Sequence, residues 1–131
     1  MPYKILIVDD TETIRLYEEA LLISAGYDVF TASDGSEAIN KVDWLKPDLV
    51  LLDINMPEMD GISCCRHIKS NPNCEYLKIL MVTSRDECKY VNDAFNAGCD
   101  DYITKPIQKD ELLGKVRKLL KFLELKKLVD S

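Results

Sequence analysis

Four apolar residues in a row, Leu49-Val50-Leu51-Leu52, run straight into a carboxylate, Asp53. Such a run has no polar face, so a strand made from it is covered on both sides, as in the centre of a parallel sheet. Open α/β sheets bind their ligands at the edge formed by the C-terminal ends of their strands, and Asp53 is delivered there. An aspartate after a strand also serves as a turn residue or a helix N-cap. The remainder of the chain has to decide between these roles.

The chain repeats one unit. Tyr3 to Val8 (YKILIV) reads as a strand followed at once by Asp9-Asp10, and Thr11 or Thr13 can cap a helix with Ile14, Tyr17, Leu21 and Leu22 at helical spacing. Gly26 stops that helix, DVFTA (28–32) gives a second strand, and Asp34-Gly35 turns into a helix from Ser36 to Leu45 that ends before Pro47. Asp48 to Asp53 is the third strand; Pro57 and Gly61 keep residues 54–61 a loop; Ile62 to Ser70 is a third helix; and Asn71-Pro72-Asn73 is a turn. KILMVT (78–83) predicts a fourth strand, residues 86–97 a fourth helix with Cys88, Val91, Ala94 and Phe95 on one face and Gly98 as its stop, and DYIT (101–104) a short fifth strand. After Lys105-Pro106 a last helix starts at about Lys109, with Leu112, Val116, Leu119, Leu120 and Leu123 inward. Strand then helix, five times over, predicts an α/β fold: a five-stranded parallel sheet, doubly wound, with right-handed crossovers.

At 131 residues the chain is large enough for one core without disulfides or metal. The net charge of −6 argues against direct nucleic-acid binding, which needs Lys and Arg to neutralise phosphates. No apolar stretch approaches the ~20 residues of a membrane span, so no membrane association is expected and the address is expected to be cytoplasmic. The five cysteines (Cys64, Cys65, Cys74, Cys88, Cys99) are odd in number and lack C-x-x-C spacing, so they read as small packed thiols. His67, the one histidine, reads as a helix surface residue.

Parallel strands bring their C-terminal ends to one edge. Asp9 and Asp10 end the first strand, Asp53 the third, Thr83 and Ser84 the fourth and Lys105 the fifth. Three carboxylates in one crevice raise each other's pKa unless compensated, and a hard divalent cation compensates them. Mg²⁺ prefers a phosphate oxygen as a further ligand, Lys105 and Thr83 can bind an anion, and a carboxylate can accept a phosphoryl group as an acyl phosphate. A structural or Ca²⁺-binding acidic cluster is the alternative reading.

VDDTETIR (8–15), LLDINMPEMDG (51–61), MVTS (81–84) and YITKP (102–106) resemble the receiver domain of bacterial two-component response regulators. The resemblance covers about residues 3–122 and is carried by the order and spacing of the motifs together. It implies a flavodoxin-like fold, Asp53 as phosphoacceptor, and Mg²⁺ held by Asp10, Asp53 and the Asn55 carbonyl with Asp9 acting through water. It also implies Thr83 as switch hydroxyl, Tyr102 as switch aromatic, Lys105 as phosphate-contacting amine and a cis Lys105-Pro106 peptide. Arg85, with Asn55 at the mouth of the site, would tune dephosphorylation by pairing with phosphate or Asn55, or be simply solvated.

The implied partners are a histidine kinase or phosphotransfer protein and, downstream, an unknown protein or a covalently linked output domain, with phosphorylation-dependent homodimers as a further expectation. The implied chemistry is that of an acceptor that catalyses its own phosphotransfer and dephosphorylation, not of a turnover enzyme. A flavin carrier of the same architecture would meet repulsion from Asp9-Asp10 at its phosphate, and an Asp-nucleophile phosphatase would want a D-x-D motif where Asp53-Ile54-Asn55 stands. Residues 1–122 are expected to form the receiver domain and residues 123–131 an extension of the last helix or the start of a linker.

Overall fold

The computed structural model describes residues 2–131. Its sheet has five parallel strands, β1 (Lys4–Val8), β2 (Asp28–Ala32), β3 (Leu49–Asp53), β4 (Lys78–Thr83) and β5 (Asp101–Thr104), in the order β2-β1-β3-β4-β5. The helices are α1 (Glu12–Ser24), α2 (Gly35–Leu45), α3 (Gly61–Lys69), α4 (Val91–Asn96) and α5 (Lys109–Asp130). The doubly wound fold expected from the alternation is therefore the one observed.

Strand periodicity splits the core in two, because alternate side chains point to opposite faces. Leu6, Val8, Val50, Leu52, Ile79 and Met81 pack with Ala38, Val42, Cys64, Cys65, Ile68 and Ala94 from α2, α3 and α4. On the other face Ile5, Ile7, Leu49, Leu51, Leu80 and Val82 meet Leu22 of α1 and Leu112, Val116, Leu119 and Leu120 of α5. Every residue of β3 is buried, as a strand covered by helices on both faces must be. Four of the cysteines are buried and only Cys88 is exposed; His67 is exposed on α3.

The helix ends have identifiable causes. Gly26 takes φ +96° just past α1, and Asp34 and Asp60 accept the backbone N–H of Glu37 and Ser63 to cap α2 and α3. Gly35 and Gly61 thus belong to helices instead of the preceding turns, and Asn71 caps a 3₁₀ turn over Pro72–Cys74. Thr11 holds the N-cap position of α1 without a side-chain cap bond; its N–H is engaged by Asp9 Oδ1 at 2.8 Å.

The fourth helix departs from expectation. Arg85–Tyr90 is 3₁₀ and only Val91–Asn96 is α-helical, and of the four residues expected to face inward only Ala94 is buried. Tighter 3₁₀ winding, at about three residues per turn, rotates Cys88 away from the face that Ala94 and Ala97 present to the core. In α1, Tyr17 is 49% exposed, whereas Glu18 is only 1% exposed. The inward face of α5 is as expected, and its helix continues unbroken past the buried Leu123. Tyr3 and Tyr76 pin this last part to the body, donating hydroxyl hydrogen bonds to Glu124 and Asp130.

Candidate functional site

Sheet register gathers the carboxylates. Val8 pairs with Leu52, so Asp9 and Asp53 leave adjacent strands side by side, where β1 and β3 form the point at which strand order reverses. Both continue the rows of Ile5–Ile7 and Leu49–Leu51, which face α1 and α5. Oxygens of Asp9, Asp10 and Asp53 all lie within 4.8 Å of one another, with Asp9 and Asp53 buried and Asp10 exposed. Lys105, leaving β5, places its ammonium 3.3 Å from Asp53 Oδ2 and 3.7 Å from Asp9 Oδ2. Lys105 N donates to Thr83 O at 2.8 Å, and the Lys105-Pro106 peptide is cis, as the resemblance implies.

The loop after β3 is folded back on the strand end. Gly61 N donates to Ile54 O at 2.7 Å and Ile54 N to Val82 O at 3.0 Å, so both ends of the loop are held at the end of β3. Asn55 N lies 3.3 Å from Asp53 Oδ1, with the Asn55 side chain exposed at the mouth. Ser84 and Glu87 line the crevice with Thr11, Met56 and Pro57. Glu87 is held there by its capping box, in which Ser84 N donates to Glu87 Oε1 at 2.9 Å. Arg85 is exposed at the start of the 3₁₀ turn.

Thr83 sits beneath the crevice, fully buried, its hydroxyl donating to Ser84 O at 2.8 Å. It belongs to the Ile79–Met81 row, so it faces the α2–α4 side along with Tyr102. Tyr102 is half-buried, edge-on to Phe95 with ring centres 6.2 Å apart and the Lys115 ammonium 5.2 Å from its ring centre. The sheet thus separates an acidic side, toward α1 and α5, from a hydroxyl–aromatic side toward α4.

Burial, then the neighbouring Asp9, push the Asp53 carboxyl up to about 7 against the pull of Lys105. Burial works against the Lys105 ammonium, but Asp53 and Asp9 outweigh it and hold it above the usual lysine value. Asp9 Oδ2 is buried without a hydrogen-bond partner. An all-carboxylate donor set with an orphaned buried oxygen is what a hard divalent cation satisfies, so the residues fit Mg²⁺.

Three residues of this region are not legible as site residues in the sequence. Glu87 reads as a helix-surface acid, although Ser84-x-x-Glu87 is a capping-box pattern that marks it. Arg15, whose guanidinium donates to Asp9 O at 2.7 Å, carries no such pattern. Glu18 is buried with Oε2 unpartnered, and burial followed by the charge of Asp9 pushes it up to about 8.

The response regulator receiver domain model matches residues 5–117. The chain belongs to the response regulator receiver family. It is 40% identical over 125 residues to the alkaline phosphatase synthesis transcriptional regulatory protein PhoP of Bacillus subtilis, covering 95% of this chain and 51% of that protein. Over 114 residues it is 38% identical to PilG of Pseudomonas aeruginosa, covering 87% of this chain and 84% of that one. The chain thus spans about half the length of PhoP and most of PilG. Among solved structures, chemotaxis protein CheY4 of Vibrio cholerae superposes with a TM-score of 0.86 at 29% identity, covering 91% of this chain and 99% of that one. A CheY-like receiver domain protein of Methanospirillum hungatei reaches 0.88 at 31% identity, covering 96% and 99%. As a receiver, the chain is a two-component signalling module. Among the described residues no helix is long and apolar enough to cross a membrane.

Proposed function

We propose that this receiver is a phosphorylation-activated switch in which Asp53 takes a phosphoryl group from the phosphohistidine of a histidine kinase or a phosphotransfer protein. One arrangement carries the reading: buried Asp53 has Oδ2 3.3 Å from the Lys105 ammonium and an oxygen within 4.8 Å of both Asp9 and Asp10. Asp10, Asp53 and the Asn55 carbonyl would hold Mg²⁺, with Asp9 acting through water, and the bound ion supplies neutralisation of charge on the phosphoryl oxygens.

A carboxylate oxygen of Asp53 attacks phosphorus in line, forming the O–P bond as the N–P bond of phosphohistidine breaks. Lys105 steadies the charge on the transferred oxygens. The phosphoryl group adds about −1.5 to −2 charge and new acceptor oxygens. The Thr83 hydroxyl then exchanges Ser84 O for a phosphoryl oxygen, and Tyr102 turns inward behind it. This relays the change to α4, β5 and α5, a switch of the loop-ordering kind. The receiver catalyses its own phosphorylation and dephosphorylation and turns over no other substrate.

Residues 1–122 are the proposed switch domain and 123–131 an extension of α5, acting in the cytoplasm on a downstream protein or a covalently linked output domain. The net charge of −6 supports protein contact over direct nucleic-acid binding by this domain. Titration with beryllofluoride or acetyl phosphate in the presence of Mg²⁺, followed by NMR and small-angle scattering, tests the reading. Saturable shifts should spread from Asp53 to Thr83 and Tyr102, with scattering reporting any homodimer; no response with Mg²⁺ present would defeat it.

Arg85, exposed one residue beyond the Ser84 that lines the crevice, is proposed to limit access of water to the acyl phosphate. Arg85→Ala should shorten the phosphoryl lifetime in an autodephosphorylation time course. An unchanged lifetime would leave Arg85 a solvated side chain.

A further inference from the structure

Lys105 is a wall between two crevices. On one side it meets Asp53 and Asp9; on the other it lines a cleft with Ile14, Tyr17, Glu18, Pro106 and Ile107. Glu18 is 1% exposed, and its Oε2 has no hydrogen-bond partner. A buried carboxylate without a partner carries an uncompensated desolvation cost. Of the other lining residues Ile14, Pro106 and Ile107 offer no side-chain donor, the Tyr17 hydroxyl donates to Ile107 O at 3.1 Å, and Lys105 is the cation that shares the cleft with Glu18. Each acts on the charge of the other across that cleft.

Lys105 also stands beside the carboxylates that would receive a divalent cation. Its ammonium lies 3.7 Å from Asp9 Oδ2 and 3.3 Å from Asp53 Oδ2, two of the carboxylates whose oxygens would receive the ion. An ammonium and a divalent cation repel at such range, so filling the carboxylate set weakens the hold of Asp53 and Asp9 on the lysine. A four-carbon side chain on a flexible stem can swing its charge without moving the backbone.

We propose that Glu18 is a second berth for the Lys105 ammonium, a positioning residue that receives the lysine when a divalent cation occupies Asp9, Asp10 and Asp53. The inference rests on the cation-binding reading given above. With the cation absent Lys105 neutralises the carboxylates; with it bound, the lysine leans toward Glu18 and stays charged and close enough to meet an incoming phosphoryl oxygen. Glu18 so lowers the cost of exchanging one cation for another. It explains why a carboxylate is buried in α1 at a position where a packed apolar residue would be the more stable choice.

The test is a double-mutant cycle on Mg²⁺ affinity, measured by calorimetry on the full chain without any phosphodonor. At pH ~9, above the value of about 8 to which burial pushes Glu18, the Glu18→Gln change removes a charge and keeps the volume, and a urea melt verifies the fold. Wild type should bind Mg²⁺ about fivefold or more tightly than Glu18→Gln, the size of coupling seen between groups in contact. In the Lys105→Met background the same Glu18→Gln change should have little effect, because no lysine needs the berth. An equal loss in both backgrounds would overturn the proposal and leave Glu18 a general electrostatic contributor; no loss on Glu18→Gln in the otherwise wild-type chain would overturn it outright. Failure of wild type to bind Mg²⁺ at millimolar concentration would instead defeat the underlying reading of the carboxylate set. A crystal structure with Mg²⁺ supplies the direct readout: Lys105 Nζ within hydrogen-bond distance of Glu18, or still on Asp9 and Asp53, which would overturn the second berth.

Discussion

Gly61→Ala is expected to destabilise this protein by more than about 3 kcal/mol, although it adds one carbon to the first turn of a helix. A Cβ at Gly61 would sit 2.1 Å from Asp53 O and 2.8 Å from both Asp53 C and Ile54 Cα. All three are backbone atoms, so no side-chain rotation relieves the clash. Gly61 cannot retreat either, because its N–H is tied to Ile54 O at 2.7 Å and Asp60 caps the same helix through Ser63 N. Relief has to come from moving the end of β3, and the carboxylate of Asp53 moves with it. The better helix propensity of alanine, worth about 1 kcal/mol, works in the opposite direction and is overwhelmed. Gly114→Ala is the control, since a Cβ there meets nothing within 4 Å in α5. Urea denaturation should show Gly114→Ala more stable than wild type by up to about 1 kcal/mol and Gly61→Ala far less stable. Similar midpoints for the two variants would refute the close-approach argument.

Gly61 also marks the kind of feature that a sequence conceals. A glycine after Pro57 reads as a loop breaker, and nothing in its neighbours says that it lies on the backbone of Asp53. The strands were legible because each is a short apolar run ending in polar residues, and β2, β4 and β5 begin and end where those runs do. The inward face of α5 was legible for the same reason, through leucines and a valine at helical spacing. The convergence of Asp9, Asp10, Asp53 and Lys105 followed from parallel topology alone, since strand ends of one sheet share an edge. The Arg85–Tyr90 segment defeated the same reasoning because a 3₁₀ turn has a different period, and its composition does not separate it from an α-helix. Glu18 defeated it because a charged residue among Tyr17 and Glu19 reads as solvated; its burial comes from Lys105, Pro106 and Ile107, which are distant in sequence.

Asp53→Asn is expected to abolish phosphoryl incorporation and, in the same protein, to raise stability above neutral pH. Incorporation depends on a carboxylate oxygen as nucleophile, and an amide cannot form the acyl phosphate. Labelled acetyl phosphate with Mg²⁺ should deliver one phosphoryl group per wild-type chain and none to the variant. The stability gain follows from the Asp53 carboxyl being pushed up from 3.8 to about 7 by burial and by Asp9. Below the unfolded value the group is protonated in both states and costs nothing. Between that value and about 7 the unfolded chain releases its proton while the folded chain retains it, so stability falls as pH rises. Above about 7 both states are ionised and the full cost, on the order of 2–4 kcal/mol, is present. Asparagine removes that cost, from which the pull of Lys105 is already subtracted, so a gain on the order of 2–4 kcal/mol is expected at pH ~8 and less than about 1 kcal/mol at pH ~4. Glu18 contributes a dependence of the same sign that is smaller in the variant, because the Asp53 charge is one of those that raise it, so its change adds to the gain at high pH. Urea unfolding at the two pH values without Mg²⁺ measures the difference, and equal gains at both would sink the electrostatic account. Added Mg²⁺ should raise the wild-type midpoint more than that of Asp53→Asn, because the cation offsets the repulsion that the substitution has already reduced. The carboxylate that makes β3 useful is then the one that makes its end unstable, and the same replacement relieves the strain and ends the chemistry.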